Sequence, residues 1–475
     1  MVDQNRAPLF EALISHDQKS KGNFHVPGHK QGRAFDENGN RWFHPILRLD
    51  LTEVGELDDL HDPHGVIEQA QQLAARAFQA EHTLFLVGGT TAGNLATILH
   101  LCQPGDPIIV HRNCHQSVFH ACILAGAVPV YLKTSVDGTN GLEMPVDPEE
   151  VRTLLSQNPK AKAVVITSPS YFGMVQPVRS IAGVCHEFDV PLVVDEAHGA
   201  HFGFHPGFPL SAMQCGADVA IQSTHKMLTS MTMSSMLHVQ GKRVEVTEIA
   251  RWLRMIESSS PSYPLMASLD LARRYVVQHG YDEFDKLLVH LNHFRGNIDS
   301  FRHLHEVVFP GGQDPLKLSL RAGSGITGYQ LAGWLEERGC YTELADHDKV
   351  LFVFSLGTTE AELRRVADLL AELDESVPDL QGDGKISMPP LPESVSPVES
   401  LGEIKKGPRE QIPLAQAVGR ISTEMIVPYP PGIPLILPGE PFTPEVVDYL
   451  MSVIRQGGNV RGIFQPSAPH VSVLK

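Results

Sequence analysis

Between residues 83 and 240, short apolar runs rich in β-branched residues alternate with stretches of helical periodicity. No other feature of the chain restricts its fold as much. Leu84-Phe85-Leu86-Val87, Ile108-Ile109-Val110, Val128-Pro129-Val130-Tyr131-Leu132, Ala163-Val164-Val165-Ile166, Leu192-Val193-Val194, Val219-Ala220-Ile221 and Ser235-Met236-Leu237-His238-Val239 have the length and composition of strands. Helices are predicted between them, ending near Leu101 and covering about 116–124 and 178–188. The runs are continuously apolar, which predicts strands buried on both faces and so a mostly parallel sheet covered by helices. In such a sheet ligands bind in the loops just beyond the strands' carboxyl ends.

Four of those loops carry chemistry-bearing residues. The first is Gly88-Gly89-Thr90-Thr91-Ala92-Gly93-Asn94. It gathers backbone N–H groups and hydroxyls at a positive helix end, which suits a phosphate. A tight turn with a threonine cap has the same composition. The second, Arg112-Asn113-Cys114-His115-Gln116-Ser117, places an imidazole where it can stack on a flat ring or serve only the local structure. The third is Asp195-Glu196-Ala197-His198. Its aspartate can pair with a protonated ring nitrogen or merely cap a turn, and His198 is within reach of a ring oxygen. The fourth, Ser223-Thr224-His225-Lys226, offers a lysine for a Schiff base to an aldehyde, beside hydroxyls for a phosphate. By itself it is also an ordinary surface lysine. Taken in order, the four supply what pyridoxal 5′-phosphate (PLP) needs: phosphate loop, stacking ring, carboxylate and lysine.

These segments, together with Phe24-His25-Val26-Pro27-Gly28-His29-Lys30, Asp58-Asp59-Leu60-His61 and Tyr429-Pro430-Pro431-Gly432-Ile433-Pro434, resemble the bacterial ornithine/lysine/arginine decarboxylase family from about residue 8 to 465. The resemblance implies an α/β, fold-type I PLP-dependent transferase-like architecture: a large domain with a mostly parallel sheet, a smaller α/β domain and a short C-terminal domain. The boundaries expected are an N-terminal arm over 1–60, a PLP-binding domain over 61–295, a small domain over 296–385, a proline-rich linker over 386–398 and a C-terminal domain over 399–475. Larger family members carry an N-terminal receiver-like domain and a tryptophan where this chain has His198, so the resemblance is to the compact form.

The resemblance also implies residue roles. Lys226 holds PLP as a Schiff base, and Asp195 faces the pyridinium nitrogen. Gly89, Thr90, Thr91, Ser223 and His225 bind the phosphate. His115 and Ala197 cover the two ring faces, and His198 reaches toward the phenolic oxygen. The reaction implied is decarboxylation of a dibasic L-amino acid, arginine to agmatine and CO2 ahead of lysine and ornithine, in polyamine metabolism. Lys226 or His115 returns the proton to Cα. Glu440 and Asp59 are the candidates for the cationic end of the substrate. A homodimer or dimer-based oligomer is expected, with the site at the subunit interface and the segment Pro428 to Pro444 lining it. The alternatives are an aminotransferase or β-eliminating lyase of the same fold, or a non-enzymatic scaffold or regulator. The presence of both Lys226 and Asp195 argues against the last.

Composition excludes other classes. With 38 basic and 55 acidic residues the formal charge is -17, which opposes nucleic acid or an anionic membrane as main partner. Asp195-Glu196-Ala197-His198 also spells the DEAH box of helicases, but no G-x-x-x-x-G-K-[ST] loop precedes it. His111, Cys114, His115 and His120, or His198, His201 and His205, lack the paired spacing of a zinc site, so no metal is expected. No apolar run spans a bilayer and the N-terminus has no secretory core, which predicts a cytoplasmic protein with six free cysteines.

Overall fold

The computed structural model describes residues 3–137, 142–323, 326–380, 392, 404, 407–429, 432–464 and 468–475. The expected linker at 386–398, residue 392 apart, and Pro430 and Pro431 lie outside the described residues. The chain forms two compact units. One comprises Met1–Leu101, Lys162–Ser168 and Val178–Asp285, and the other Cys102–Ala161, Pro169–Pro177 and Lys286–Lys475.

Each of the seven expected strands forms. They are β1 (His82–Leu86), β2 (Pro107–His111), β3 (Val128–Leu132), β4 (Val164–Thr167), β5 (Leu192–Asp195), β6 (Val219–Gln222) and β7 (Ser235–Val239). In the first unit the order is β1-β7-β6-β5-β4. β4, β5 and β6 pair in parallel, whereas β7 runs antiparallel to both β6 and β1. The parallel expectation therefore stops at β6. A parallel return needs a crossover of a dozen or more residues, usually helical. Between Gln222 and Ser235 the chain forms only the four-residue helix Thr224–Met227, so it turns back on itself. Every residue of β5, β6 and β7 is buried, as their unbroken apolar runs require.

The helix Gly89–Leu101 lies hard against this sheet. A Cβ at Gly93 would come within 2.7 Å of Ile221 and 2.9 Å of Leu86, so only glycine permits the approach. At the other end of the unit, the helix Pro8–Lys19 buries Leu9 and Leu13. Its start is fixed by Asp270, which accepts the N–H of Leu9 at 3.0 Å, and by Arg273, which donates to the carbonyls of Gln4 and Arg6. Asp270 and Arg273 are ion-paired at 2.7 Å with both side chains fully buried. Both sit on the 36-residue helix Tyr263–Ile298.

The second unit holds the parallel pair β2–β3 and a four-stranded sheet. The latter comprises β8 (Leu304–Glu306), β9 (Lys317–Ala322), β10 (Leu344–Ala345) and β11 (Lys349–Val353), ordered β10-β11-β9-β8 and antiparallel throughout. Helices Gly328–Glu336 and Glu360–Leu380 accompany it. The C-terminal part pairs β12 (Arg409–Pro413) with β15 (His470–Leu474) and β13 (Val427–Tyr429) with β14 (Asn459–Arg461). Around the helix Pro444–Arg455 it has its own core of Ile426, Ile436, Phe442, Leu450, Val471 and Val473. All six cysteines are free thiols, and no helix among the described residues is long and apolar enough to cross a membrane.

Candidate active site

The first unit brings together most of the expected residues at the carboxyl ends of β5 and β6. Lys226 follows β6 in the short helix Thr224–Met227, half-buried. Its Nζ lies 3.1 Å from His198 Nε2. A lysine ammonium can only donate, so the imidazole nitrogen accepts. The sequence suggests a ring oxygen as the partner of His198; the structure shows contact with the reactive amine itself.

Asp195 ends β5 and is 2% exposed. Oδ2 accepts a hydrogen bond from Asn94 Nδ2 at 3.0 Å, and Oδ1 accepts the N–H of Ala197 at 3.2 Å. Both donors are neutral, and Asp195 forms no ion pair with a described residue. A buried carboxylate held in place without a cation is a seat for a protonated ring nitrogen. In this respect the chain's residues fit PLP. Asn94 was missed as a functional residue. It is a polar side chain, 1% exposed, on the buried face of the helix Gly89–Leu101, which it shares with Thr97 and apolar residues.

The phosphate-loop residues meet the lysine turn directly. The Thr90 and Ser223 hydroxyls are hydrogen-bonded at 2.5 Å, although 133 residues separate them. Gly89, at φ +73°, opens the helix in the left-handed region that favours glycine. The N–H groups just before it, of Val87 and Gly88, are both accepted by Glu257 Oε1, at 2.9 and 2.6 Å. His225 donates from Nδ1 to the Ser234 carbonyl at 2.9 Å, which leaves Nε2 unprotonated in the neutral ring. Burial, with the charge of Lys226, holds its pKa below the usual value. Glu196, next to Asp195, points into a separate buried chain. There Thr83 Oγ1 lies 2.8 Å from His238 Nδ1, His238 Nε2 lies 3.1 Å from Gln222 Oε1, and Gln222 Nε2 donates to Glu196 Oε2 at 2.8 Å.

Asp59 makes a local turn in the first unit, Oδ1 accepting the N–H of His61 at 2.8 Å. Its neighbour Asp58 accepts N–H groups of His64, Gly65, Ile67 and Glu68 and so starts the helix Val66–Ala77.

His115 and Glu440 belong to the second unit. His115 is the N-cap of the helix Gln116–Ala125; its Nδ1 accepts the N–H of Ser117. A Cβ built on Gly432 would lie 3.9 Å from its ring, so the stretch that begins at Gly432 runs beside this histidine. Arg112 binds that segment through Nη1 to the Pro434 carbonyl at 2.6 Å and Nη2 to the Leu435 carbonyl at 3.1 Å. The same Nη2 pairs with Glu440 Oε2 at 3.1 Å, both side chains buried. Glu440 thus has its charge balanced by Arg112, while Oε1 has no hydrogen-bond partner among the described residues. Burial pushes its pKa up, opposed by Arg112. Glu143, which takes a hydrogen bond from Asn113, is pushed by burial up to about 7.

Comparison with known proteins identifies the family. Residues 7–311 match the model for the major domain of Orn/Lys/Arg decarboxylases, and residues 387–463 the model for their C-terminal domain. The uncharacterized protein YaaO of Bacillus subtilis is 41% identical over 96% of each chain. An arginine decarboxylase of the same organism is 34% identical over 100% of this chain and 99% of its own length. The solved structure of lysine decarboxylase A from Pseudomonas aeruginosa superposes with a TM-score of 0.82 at 26% identity, covering 98% of this chain and 80% of that one. Proteins of this family are amino-acid carboxy-lyases that carry PLP on a fold-type I scaffold. By its sequence over nearly its whole length, and by its fold, the chain belongs to the Orn/Lys/Arg decarboxylase family.

Proposed function

We propose that the chain decarboxylates L-arginine to agmatine, with Lys226, Asp195 and His198 at the centre of the site. The observation that carries the catalytic part is the juxtaposition of the Lys226 amine with His198 at 3.1 Å and, at the neighbouring strand end, a buried Asp195 without a cation. Arginine is favoured over lysine because the arginine decarboxylase matches end to end, whereas the lysine decarboxylase structure is less similar and is covered to 80%.

When bound, PLP supplies the electron sink for the pair released as CO2 leaves. The chain's residues do the rest. Lys226 would hold the cofactor through its side-chain amine. Asp195, braced by Asn94, holds a proton on the ring nitrogen. Gly89, Thr90, Thr91, Ser223 and His225 bind the phosphate at the start of the helix Gly89–Leu101, where N–H groups favour an anion. Ala197 and His115 cover the ring faces. If His115 supplies the proton for Cα, His198 would accept the proton of the Lys226 ammonium; if Lys226 supplies it, that step itself leaves the free amine. Lys226 or His115 returns a proton to Cα. For the guanidinium, Asp59 and the unpartnered Oε1 of Glu440 are the candidate acceptors.

We also infer a homodimer in the cytoplasm. Phe24 (98% exposed), Val26, Trp42 and Phe43 crowd an N-terminal stretch with apolar surface that a single chain leaves in water. Free thiols suit a reducing compartment. The decisive experiment is CO2 release from arginine, lysine and ornithine by the PLP-loaded protein, compared as kcat/KM. Arginine is expected to lead. Lysine or ornithine in first place overturns the substrate, and transamination without CO2 overturns the reaction.

A further inference from the structure

Glu257 is absent from every set of expected site residues, yet it touches the phosphate loop directly. It follows the helix Val246–Ile256 as its C-terminal cap residue and is 9% exposed. One oxygen, Oε1, accepts the N–H groups of both Val87 and Gly88, 170 and 169 residues away in sequence. Those groups stand immediately before the helix Gly89–Leu101, where no preceding helical turn exists to receive them. A carboxylate there also faces the positive end of that helix. The fit is tight, because a Cβ at Gly88 would lie 3.0 Å from Glu257 Oε1. Glu257, Gly88, Thr91 and Met233 line one cleft of about 310 Å³, so Glu257 and the phosphate loop border the same space.

The Asp58–His61 segment, whose role the catalytic chemistry leaves open, clasps this region on both sides. His61 Nε2 lies 2.9 Å from the Ser258 carbonyl and donates to it. Arg254 donates to the His61 carbonyl, and the Tyr263 hydroxyl donates to the Asp58 carbonyl at 2.5 Å. Residues 254–263 are thereby held at three points around Glu257.

We propose that Glu257 is a positioning residue for the cofactor phosphate: it fixes the Val87–Gly88 backbone so that Gly89, Thr90 and Thr91 meet the phosphate, and Asp58–His61 holds it in place. The proposal rests on PLP being bound at Lys226. It opposes the simplest electrostatic expectation, in which a carboxylate beside a phosphate site weakens binding and its removal tightens it.

The test pairs Glu257→Ala with Glu257→Gln, which keeps an acceptor oxygen without the charge. PLP affinity is measured by titrating apoprotein, and hydrogen exchange of the peptide containing Val87 and Gly88 is followed by mass spectrometry without PLP. E257A is expected to weaken PLP binding about tenfold or more, because the buried Val87 N–H and the more exposed Gly88 N–H both lose their acceptor, and to speed exchange at Val87 and Gly88. E257Q is expected to stay within about threefold of wild type on affinity and to keep the protection. Unchanged or tighter binding by E257A overturns the proposal. So does an E257Q as weak as E257A, since charge and not the acceptor would then be responsible. A wild-type protein that binds PLP but releases no CO2 would sink the decarboxylase reading and leave this one standing. One that binds no PLP would sink both, whatever the exchange shows.

Discussion

Asp195 in the first unit and Glu440 in the second are both 2% exposed, yet their surroundings differ in kind. Asp195 is held by two neutral donors, Asn94 and the Ala197 N–H, and has no cation among the described residues. Glu440 has Arg112 at 3.1 Å and the N–H of Leu437 at 2.7 Å. An isolated buried carboxylate costs several kcal/mol in desolvation. Glu440 offsets that cost with a charge from its own chain. Asp195 does not, and its cost is met only when a ligand brings a cation. Equal burial thus comes with different partners: we propose that Asp195 is a binding seat, whereas Arg112 makes one oxygen of Glu440 part of a strut and leaves Oε1 for another donor.

The largest effects should come from the seat. Lys226→Ala is expected to abolish both the visible absorbance of the lysine–cofactor imine and CO2 release. Asp195→Asn is expected to lower kcat roughly a thousandfold, about 4 kcal/mol in barrier, by leaving the ring nitrogen without its counter-charge. In the apoprotein the same substitution removes an uncompensated charge but sets an NH2 against one of the donors on Asn94 and Ala197, so thermal stability should stay within about 1 kcal/mol of wild type. If D195N instead melts well below wild type as apoprotein, the seat is structural and the comparison breaks.

The strut should behave the opposite way. Arg112→Met leaves Glu440 buried and unpaired, a loss of about 3–5 kcal/mol by the usual cost of breaking such a pair. Adding Glu440→Leu should recover part of it. Recovery stays incomplete because the Pro434 and Leu435 carbonyls still lose their donor. Urea unfolding of the two variants measures this. If the double variant is no better than the single, the ion pair is not what Arg112 contributes, and its hold on the two carbonyls accounts for the loss.

What the sequence revealed divides along the same physical line. The strands were legible because continuous β-branched runs encode burial locally, and each was found within two residues of its expected limits. The Gly88–Asn94, Asp195–His198 and Ser223–Lys226 segments were legible because each lies at a strand end. Partners were not. Thr90 meets Ser223 across 133 residues, Asn94 meets Asp195 across 101, and Glu257 meets Gly88 across 169. No local pattern encodes those distances. The direction of β7 was missed for a different reason, since apolar runs look alike whichever way a strand points. Glu440 was singled out as a substrate carboxylate, but its pairing with Arg112 depends on a contact across 328 residues.

Glu196 gives the smallest effect and the finest test, because it lies beside Asp195 and is buried just as deeply. Burial pushes its pKa from 4.5 up to about 8, against the opposing hydrogen bonds from Gln222 and the Ala212 N–H. His238, two hydrogen bonds away through Gln222, is pushed by burial from 6.5 down to about 3. The signs are opposite. With its folded pKa raised, Glu196 binds more protons in the native than in the unfolded state between pH 4.5 and 8, so its contribution to stability is lost as pH rises through that window. With its folded pKa lowered, His238 binds fewer protons in the native state below 6.5, so its contribution is lost as pH falls toward 3. Glu196→Gln should therefore flatten the loss of stability on the alkaline side and leave the acid side unchanged. The glutamine sets an NH2 against one of two donors, which lowers absolute stability by about 1 kcal/mol, so the slope and not the height is the readout. Urea unfolding of apoprotein at stepped pH gives that slope. An unchanged alkaline slope in E196Q would mean that Glu196 is already ionised in the native protein. It would then be a buried carboxylate held by neutral donors alone right beside Asp195, and the absence of a cation would not distinguish the two neighbours.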